Sequence, residues 1–153
     1  MIEVSHLTHN DSRGSYTPIP LNVLNEKWDQ CSISVNDNIY TFRGLHYQTN
    51  PPQKKYVKVV QGSIIDFMVD LETGETDYCE VNENEAVYIP NNMAHGFLTL
   101  EPNTIVVYMV EGDYNPESEH SLRWFENPTV SNVVFERSGV NRITISEKDK
   151  QGK

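Results

Sequence analysis

Ser63-Ile64-Ile65-Asp66-Phe67-Met68-Val69-Asp70-Leu71 is bounded by Gln61-Gly62 before it and Glu72-Thr73-Gly74-Glu75 after it. β-branched and aromatic residues fill the run and turn formers close both ends, so it reads as a strand. Ile65, Phe67, Val69 and Leu71 fall on one face, as a two-residue period requires. The same grammar repeats outward. Tyr56 to Val60 precedes it. Thr76 to Val81 follows, then the turn Asn82-Glu83-Asn84-Glu85, Ala86 to Ile89 closed by Pro90-Asn91-Asn92, Gly96 to Leu100, and Thr104 to Val110. Short Val-, Ile- and Tyr-rich runs at regular spacing predict an all-β, mostly antiparallel sandwich or barrel.

Phase also places a charge. Lys55 is in register with Val57 and Val59, so valines that face the core carry Lys55 inward with them. Lys54 competes for that place, and with Lys58 nearby the alternative is a solvated basic edge. Helix is scarce: Leu21 to Trp28 offers a turn or two, and no longer window shows a convincing 3.6-residue period. With 153 residues and no repeat, low-complexity tract or linker, one domain spanning 1–153 is expected.

Composition narrows the function classes. Hydrophobic residues are 37% of the chain and mean hydropathy is −0.55, but eight Tyr, five Phe and two Trp argue against disorder. Asp plus Glu is 22 against 12 Lys plus Arg, a formal charge of −10. Such a surface repels phosphate backbones, so nucleic acid is not the expected partner, while a local Arg and Lys pocket can still hold a small phosphate ligand. Cys31 and Cys79 are too few for a disulfide framework or a zinc site. The N-terminus lacks a basic region followed by an apolar one, and no apolar run approaches a membrane span. A soluble, cytoplasmic protein is expected, with no membrane partner.

Three segments carry chemistry: Arg43-Gly44-Leu45-His46-Tyr47-Gln48 with Gln53-Lys54-Lys55 after it, Pro90-Asn91-Asn92-Met93-Ala94-His95-Gly96-Phe97, and Ile145-Ser146-Glu147-Lys148-Asp149. His is the side chain that titrates near neutrality without perturbation, which makes His46 the candidate base. A metal is the rival use of two histidines in a barrel. His-x-His followed by a nearby Glu would mark it; here His46-Tyr47-Gln48 lacks the second His and no Glu follows before Glu72. Neither a metal nor an organic cofactor is expected.

RGLHYQ, K-x-V-K-V-x-x-G, IP-x-x-x-AHGF, Y-x-P-x-x-E-x-x-x-x-W and SEKD occur here in one order. The series, from Asp11 to Lys153, resembles the dTDP-4-dehydrorhamnose 3,5-epimerase family of cupin (double-stranded β-helix, jelly-roll) barrels. The resemblance implies a nucleotide-linked 4-keto-6-deoxy sugar as substrate, and a homodimer that pairs its barrels by sheet extension. The ketone acidifies the hydrogens on C3 and C5, and epimerisation needs a base, an enolate stabiliser and an acid on the other face. By resemblance Asp149 pairs with His46 and fixes its tautomer, Lys55 stabilises the oxyanion on O4, and Tyr108, thirteen residues after His95, reprotonates. Arg13, Arg43, Gln48, His95 and Tyr114 match substrate-binding positions. Trp124, Asn127-Pro128, Tyr47 and Phe97 are expected to pack, and His6, His9 and His120 to lie at the surface.

Departures from the pattern bear on specificity. Pro18 stands where the family offers a substrate-touching acid, and Trp28-Asp29-Gln30 replaces Gln-x-Asn ahead of the Ser32-x-Ser34 pair. Few residues precede Asp11, where the family places a strand exchanged between subunits. A 3- or 5-epimerase, a 3,4-ketoisomerase on a related sugar, or a non-catalytic sugar-nucleotide-binding cupin are the alternatives.

Overall fold

The computed structural model describes residues 2–5, 7–18, 27–139 and 143–152. The helical turn expected over Leu21 to Trp28 lies mostly outside them, as does His6. Twelve strands are formed by the described residues. In chain order they are β1 (Ile2–Ser5), β2 (His9–Asp11), β3 (Gly14–Tyr16), β4 (Gln30–Asn36), β5 (Phe42–Gln48), β6 (Lys54–Gln61), β7 (Ser63–Asp70), β8 (Thr76–Asn82), β9 (Glu85–Ile89), β10 (Met93–Thr99), β11 (Thr104–Glu111) and β12 (Glu119–Ser121). Two helices follow, α1 (Pro128–Ser138) and α2 (Glu147–Gln151).

The strands form two five-stranded antiparallel sheets, ordered β1-β9-β6-β11-β4 and β12-β5-β10-β7-β8, with β2-β3 as a separate hairpin. The expected mostly antiparallel cupin barrel is what the chain builds. Its interior is Val57, Val59, Ile64, Met68, Val81, Val87, Ile89, Phe97 and Val106, all buried between the sheets. β7 is buried on both faces. Ile64, Asp66 and Met68 point into the barrel, while Ile65, Phe67 and Val69 point outward, under Trp124, Val130 and Val134. The apolar face read from the sequence is thus the outer one.

Helix α1 is a departure from the expected scarcity of helix. Its buried positions are Val130, Ser131, Val134 and Ser138, so two serines break the apolar stripe that a periodicity search looks for. Its ends, by contrast, are plainly written. Asn127 accepts a hydrogen bond from the Val130 N–H at 3.1 Å, Pro128 occupies the first turn, and Gly139 with φ 74° ends the helix. β1 pairs with β9 of its own chain, from Ile2 opposite Tyr88 to Ser5 opposite Glu85.

Candidate active site

The two histidine motifs meet because β5 and β10 are ladder partners, with His95 opposite His46. Two glycines let them approach. Gly44 has φ 134°, and a Cβ on it would lie 2.5 Å from the Gly96 Cα. A Cβ on Gly96 would lie 2.6 Å from the Arg43 carbonyl oxygen. The register also slips here: His95 faces His46 while Phe97 faces Arg43, so β5 carries one extra residue. A bulge re-aims the side chains that flank it, which is how Arg43 and His46, three apart, both line one cavity.

That cavity is about 640 Å³. His46 Nε2 lies 2.7 Å from Asp149 Oδ1, and Asp149 Oδ2 accepts the Gly44 N–H at 3.1 Å. An ionised carboxylate only accepts, so Nε2 carries the hydrogen, and in the neutral ring Nδ1 keeps its lone pair. Asp149 is not a frayed terminal residue: it is 4% exposed. Ser146 caps α2 by accepting the Asp149 N–H at 3.2 Å, and the preceding segment is tied to β5 by the Phe42 N–H donating to Thr144 O at 2.9 Å. Burial works to raise the Asp149 carboxyl, but the hydrogen bond and charge of His46, the Gly44 amide and Lys148 outweigh it and hold it below the usual value.

His95 is buried and its Nε2 lies 2.6 Å from Oδ2 of Asp66, which is wholly buried. Asp66 was not foreseen, although an acid in the middle of an apolar strand was a signal. Lys55 lines the cavity as its phase with Val57 and Val59 predicted. Burial lowers its ammonium's pKa, and the charges of Asp66 and Glu119 oppose that. Tyr108 comes from β11; burial pushes its phenol up to about 12, against a hydrogen bond from Ser34 and the charge of Arg43, with Asp66 adding to the rise. Tyr114 stands at the mouth, exposed, with its O–H donating to Glu119 at 3.0 Å.

Two expected substrate-binding residues are not in the cavity. Gln48 is buried behind it, donating to the carbonyls of Pro51 at 2.7 Å and Asp113 at 2.8 Å and accepting the Asn115 N–H at 2.9 Å. Both of its N–H donors are spent joining two loops. Arg13 sits in the β2–β3 turn, ion-paired with Asp11 at 2.6 Å and exposed. Of the departures from the family pattern, Gln30 lines the cavity. Trp28 instead packs outside the barrel with Tyr56, Ala86 and Met109, and Pro18 is exposed away from the cavity. Ile145 and Lys148, from the third segment that carries chemistry, form part of the cavity wall, as does Thr144 just before it, which no motif marks. Each histidine has one carboxylate, and among the described residues no three His, Cys, Asp or Glu side chains gather as a metal site would.

A family model described as dTDP-4-dehydrorhamnose 3,5-epimerase matches residues 2–153. The dTDP-4-dehydrorhamnose 3,5-epimerase of Mycobacterium tuberculosis is 31% identical over 137 residues, 78% of this chain and 66% of that protein. The chain thus spans about two thirds of the length of that relative. Among solved structures, the dTDP-6-deoxy-D-glucose-3,5-epimerase of Legionella pneumophila in complex with dTDP-4-keto-L-rhamnose superposes with a TM-score of 0.84 at 24% identity. That superposition covers 99% of this chain and 85% of the other. The Bacillus anthracis dTDP-4-dehydrorhamnose 3,5-epimerase with TDP and PPi bound gives 0.83 at 27% identity, covering 99% and 91%.

Proposed function

This chain belongs to the dTDP-4-dehydrorhamnose 3,5-epimerase family, and on that premise we propose that it epimerises a dTDP-linked 4-keto-6-deoxy sugar. One observation carries the proposal. A carboxylate-paired histidine, a half-buried lysine and a half-buried tyrosine, each from a different strand, converge on one cavity.

His46 removes the hydrogen on the carbon beside the ketone through Nδ1, and Asp149 holds the ring and balances the imidazolium that forms. The C–H electron pair moves into the enolate, whose oxygen the Lys55 ammonium stabilises. Tyr108 returns a proton from its hydroxyl to the other face, and the enolate pair makes the new C–H bond. The proton held by His46 leaves to solvent and one from solvent restores the tyrosinate, so the step balances. His95, sealed against Asp66, shapes the wall, while Arg43 and Tyr114 at the mouth suit the diphosphate and the base. A second outcome, inversion at one carbon only, is favoured by Gln30, whose longer amide stands in the wall where the family pattern has Asn.

Incubating dTDP-4-keto-6-deoxyglucose with the protein in D2O and following it by NMR tests this. Deuterium at C3 and C5 is expected; deuterium at C3 alone selects the one-carbon reaction. No deuterium at either carbon rejects catalysis and leaves a sugar-nucleotide-binding cupin.

We infer further that one domain works as a homodimer in the cytoplasm. Support comes from the exposed Ile33 and Val35 on the outer face of the first sheet, and from β4, whose second edge pairs with no strand among the described residues. No disulfide joins Cys31 to Cys79, which suits a reducing compartment. No helix among the described residues is long and apolar enough to cross a membrane.

A further inference from the structure

Tyr108 stands at the end of a chain of hydrogen bonds that no step above uses. Arg43 Nε donates to Asn36 Oδ1 at 2.7 Å. Asn36 Nδ2 donates to Thr104 O at 3.0 Å and to Ser34 Oγ at 3.3 Å. Ser34 Oγ is 2.9 Å from Tyr108 Oη. Asn36 is buried, and its orientation is forced from both sides. A guanidinium can only donate, so it takes the amide oxygen; a backbone carbonyl can only accept, so it takes the amide nitrogen. Ser34 therefore receives a hydrogen bond from behind and has its own hydrogen free for Tyr108.

We propose that Ser34 and Asn36 are positioning residues of the general acid, forming a one-way donor relay from Arg43 to Tyr108 Oη. With Ser34 donating to the phenol oxygen, the phenol's own hydrogen is left to point at the sugar. When Tyr108 gives that proton to the carbon, the tyrosinate that remains already holds a hydrogen bond from Ser34, polarised by a cation at the far end of the relay. A phenol shielded from water is otherwise a poor acid, because little solvates the anion it leaves. Parity explains how the relay is built. Ser34 and Asn36 are two apart on β4 and share the inward face, and β4 is paired with β11, where Ser34 lies opposite Val106 and Ser32 opposite Tyr108. The bulge in β5 brings Arg43 to the same wall.

The inference rests on Tyr108 being the acid, and the test separates the two. Three variants, Ser34→Ala, Ser34→Thr and Asn36→Asp, are assayed beside Tyr108→Phe with dTDP-4-keto-6-deoxyglucose in D2O, and C–H exchange and inversion are read separately by NMR. Ser34→Ala is expected to lower inversion about tenfold more than exchange, the loss of one charge-assisted hydrogen bond. Ser34→Thr keeps the hydroxyl and restores the wild-type ratio. Asn36→Asp keeps the shape but accepts where Asn donates; Ser34 then turns away from Tyr108, and the ratio shifts as in Ser34→Ala. Equal losses of exchange and inversion in Ser34→Ala and Asn36→Asp, or a wild-type ratio in both, overturn the relay while Tyr108→Phe still impairs inversion. Wild-type inversion in Tyr108→Phe, or no exchange in the unmodified protein, overturns the assignment of the acid and the relay with it.

Discussion

His46 and His95 stand opposite one another, each on a carboxylate, yet they are not equivalent. The His46 side chain is 30% exposed and that of His95 only 5%. A base has to reach its substrate, and His46 does so with the nitrogen that Asp149 leaves unoccupied. Asp149→Asn exchanges an acceptor for a group that can also donate, releasing the tautomer; kcat is expected to fall by about 10²- to 10⁴-fold in a steady-state assay with KM changing little. The same carboxylate should show in stability. Its folded value lies below the ordinary 3.8, so on acidification the unfolded chain takes up the proton first. The stability it contributes is complete above 3.8 and drains away as pH falls through the lower folded value. Urea midpoints measured from about pH 6 down to about pH 3 should converge for wild type and Asp149→Asn; parallel curves would falsify the linkage. His46 and Asp149 were legible because each sits in a motif. Asp66 and Ser34 were not: they work through His95 and Tyr108, 29 and 74 positions off, and no local spacing records that; Asn36, which links Arg43 to Ser34, sits in no motif. Gln48 misled for the opposite reason, since its motif places it beside the site while its amide is turned to Pro51, Asp113 and Asn115.

At the scale of elements, a strand's two-residue period was enough to turn Lys55 into the cavity, because the barrel needs Val57 and Val59 inside. Period alone could not tell which face of β7 looks inward, since both are buried. It also missed α1, whose buried face is half serine, although Asn127, Pro128 and Gly139 announced its ends. The β5–β10 pair is where local sequence and the site depend on each other most directly. Gly44→Ala adds a Cβ 2.5 Å from the Gly96 Cα at a φ of 134°. Backbone rather than a flexible side chain is in the way, so the strands have to part. A loss of about 2–4 kcal/mol in urea denaturation is expected, with activity falling as His46 and His95 separate. Gly74→Ala is the contrast. Its φ is 74° but nothing lies within 4 Å of the added Cβ, so about 1 kcal/mol is expected and activity should stay.

Across the whole molecule the two sheets are finished differently. Helix α1 and Trp124 cover the outer face of the second sheet, leaving Phe42, Ile65, Phe67 and Val69 buried on both sides of the layer. On the first sheet the outer cover among the described residues is Trp28, over Tyr56, Ala86 and Met109. Beyond it Ile33 is 67% and Val35 56% exposed, on an edge strand that presents backbone groups as well as apolar side chains. An edge of this kind invites a neighbour unless charge or proline blocks it, and β4, Gln30 to Asn36, contains neither. No strand was read over Gln30 to Asn36 from the sequence, and alternation alone does not show which face the chain's own helix leaves bare. A second copy laid on this sheet would bury both residues and also stiffen β4, the strand that carries Ser34 and Asn36. Sedimentation of the wild type is therefore expected at about twice 17.6 kDa. Ile33→Glu with Val35→Glu places like charges on the strand and should give 17.6 kDa with the barrel intact by circular dichroism. If that variant kept the wild-type mass, the copies would be meeting elsewhere; a wild type already at the monomer mass would leave this face without a second copy.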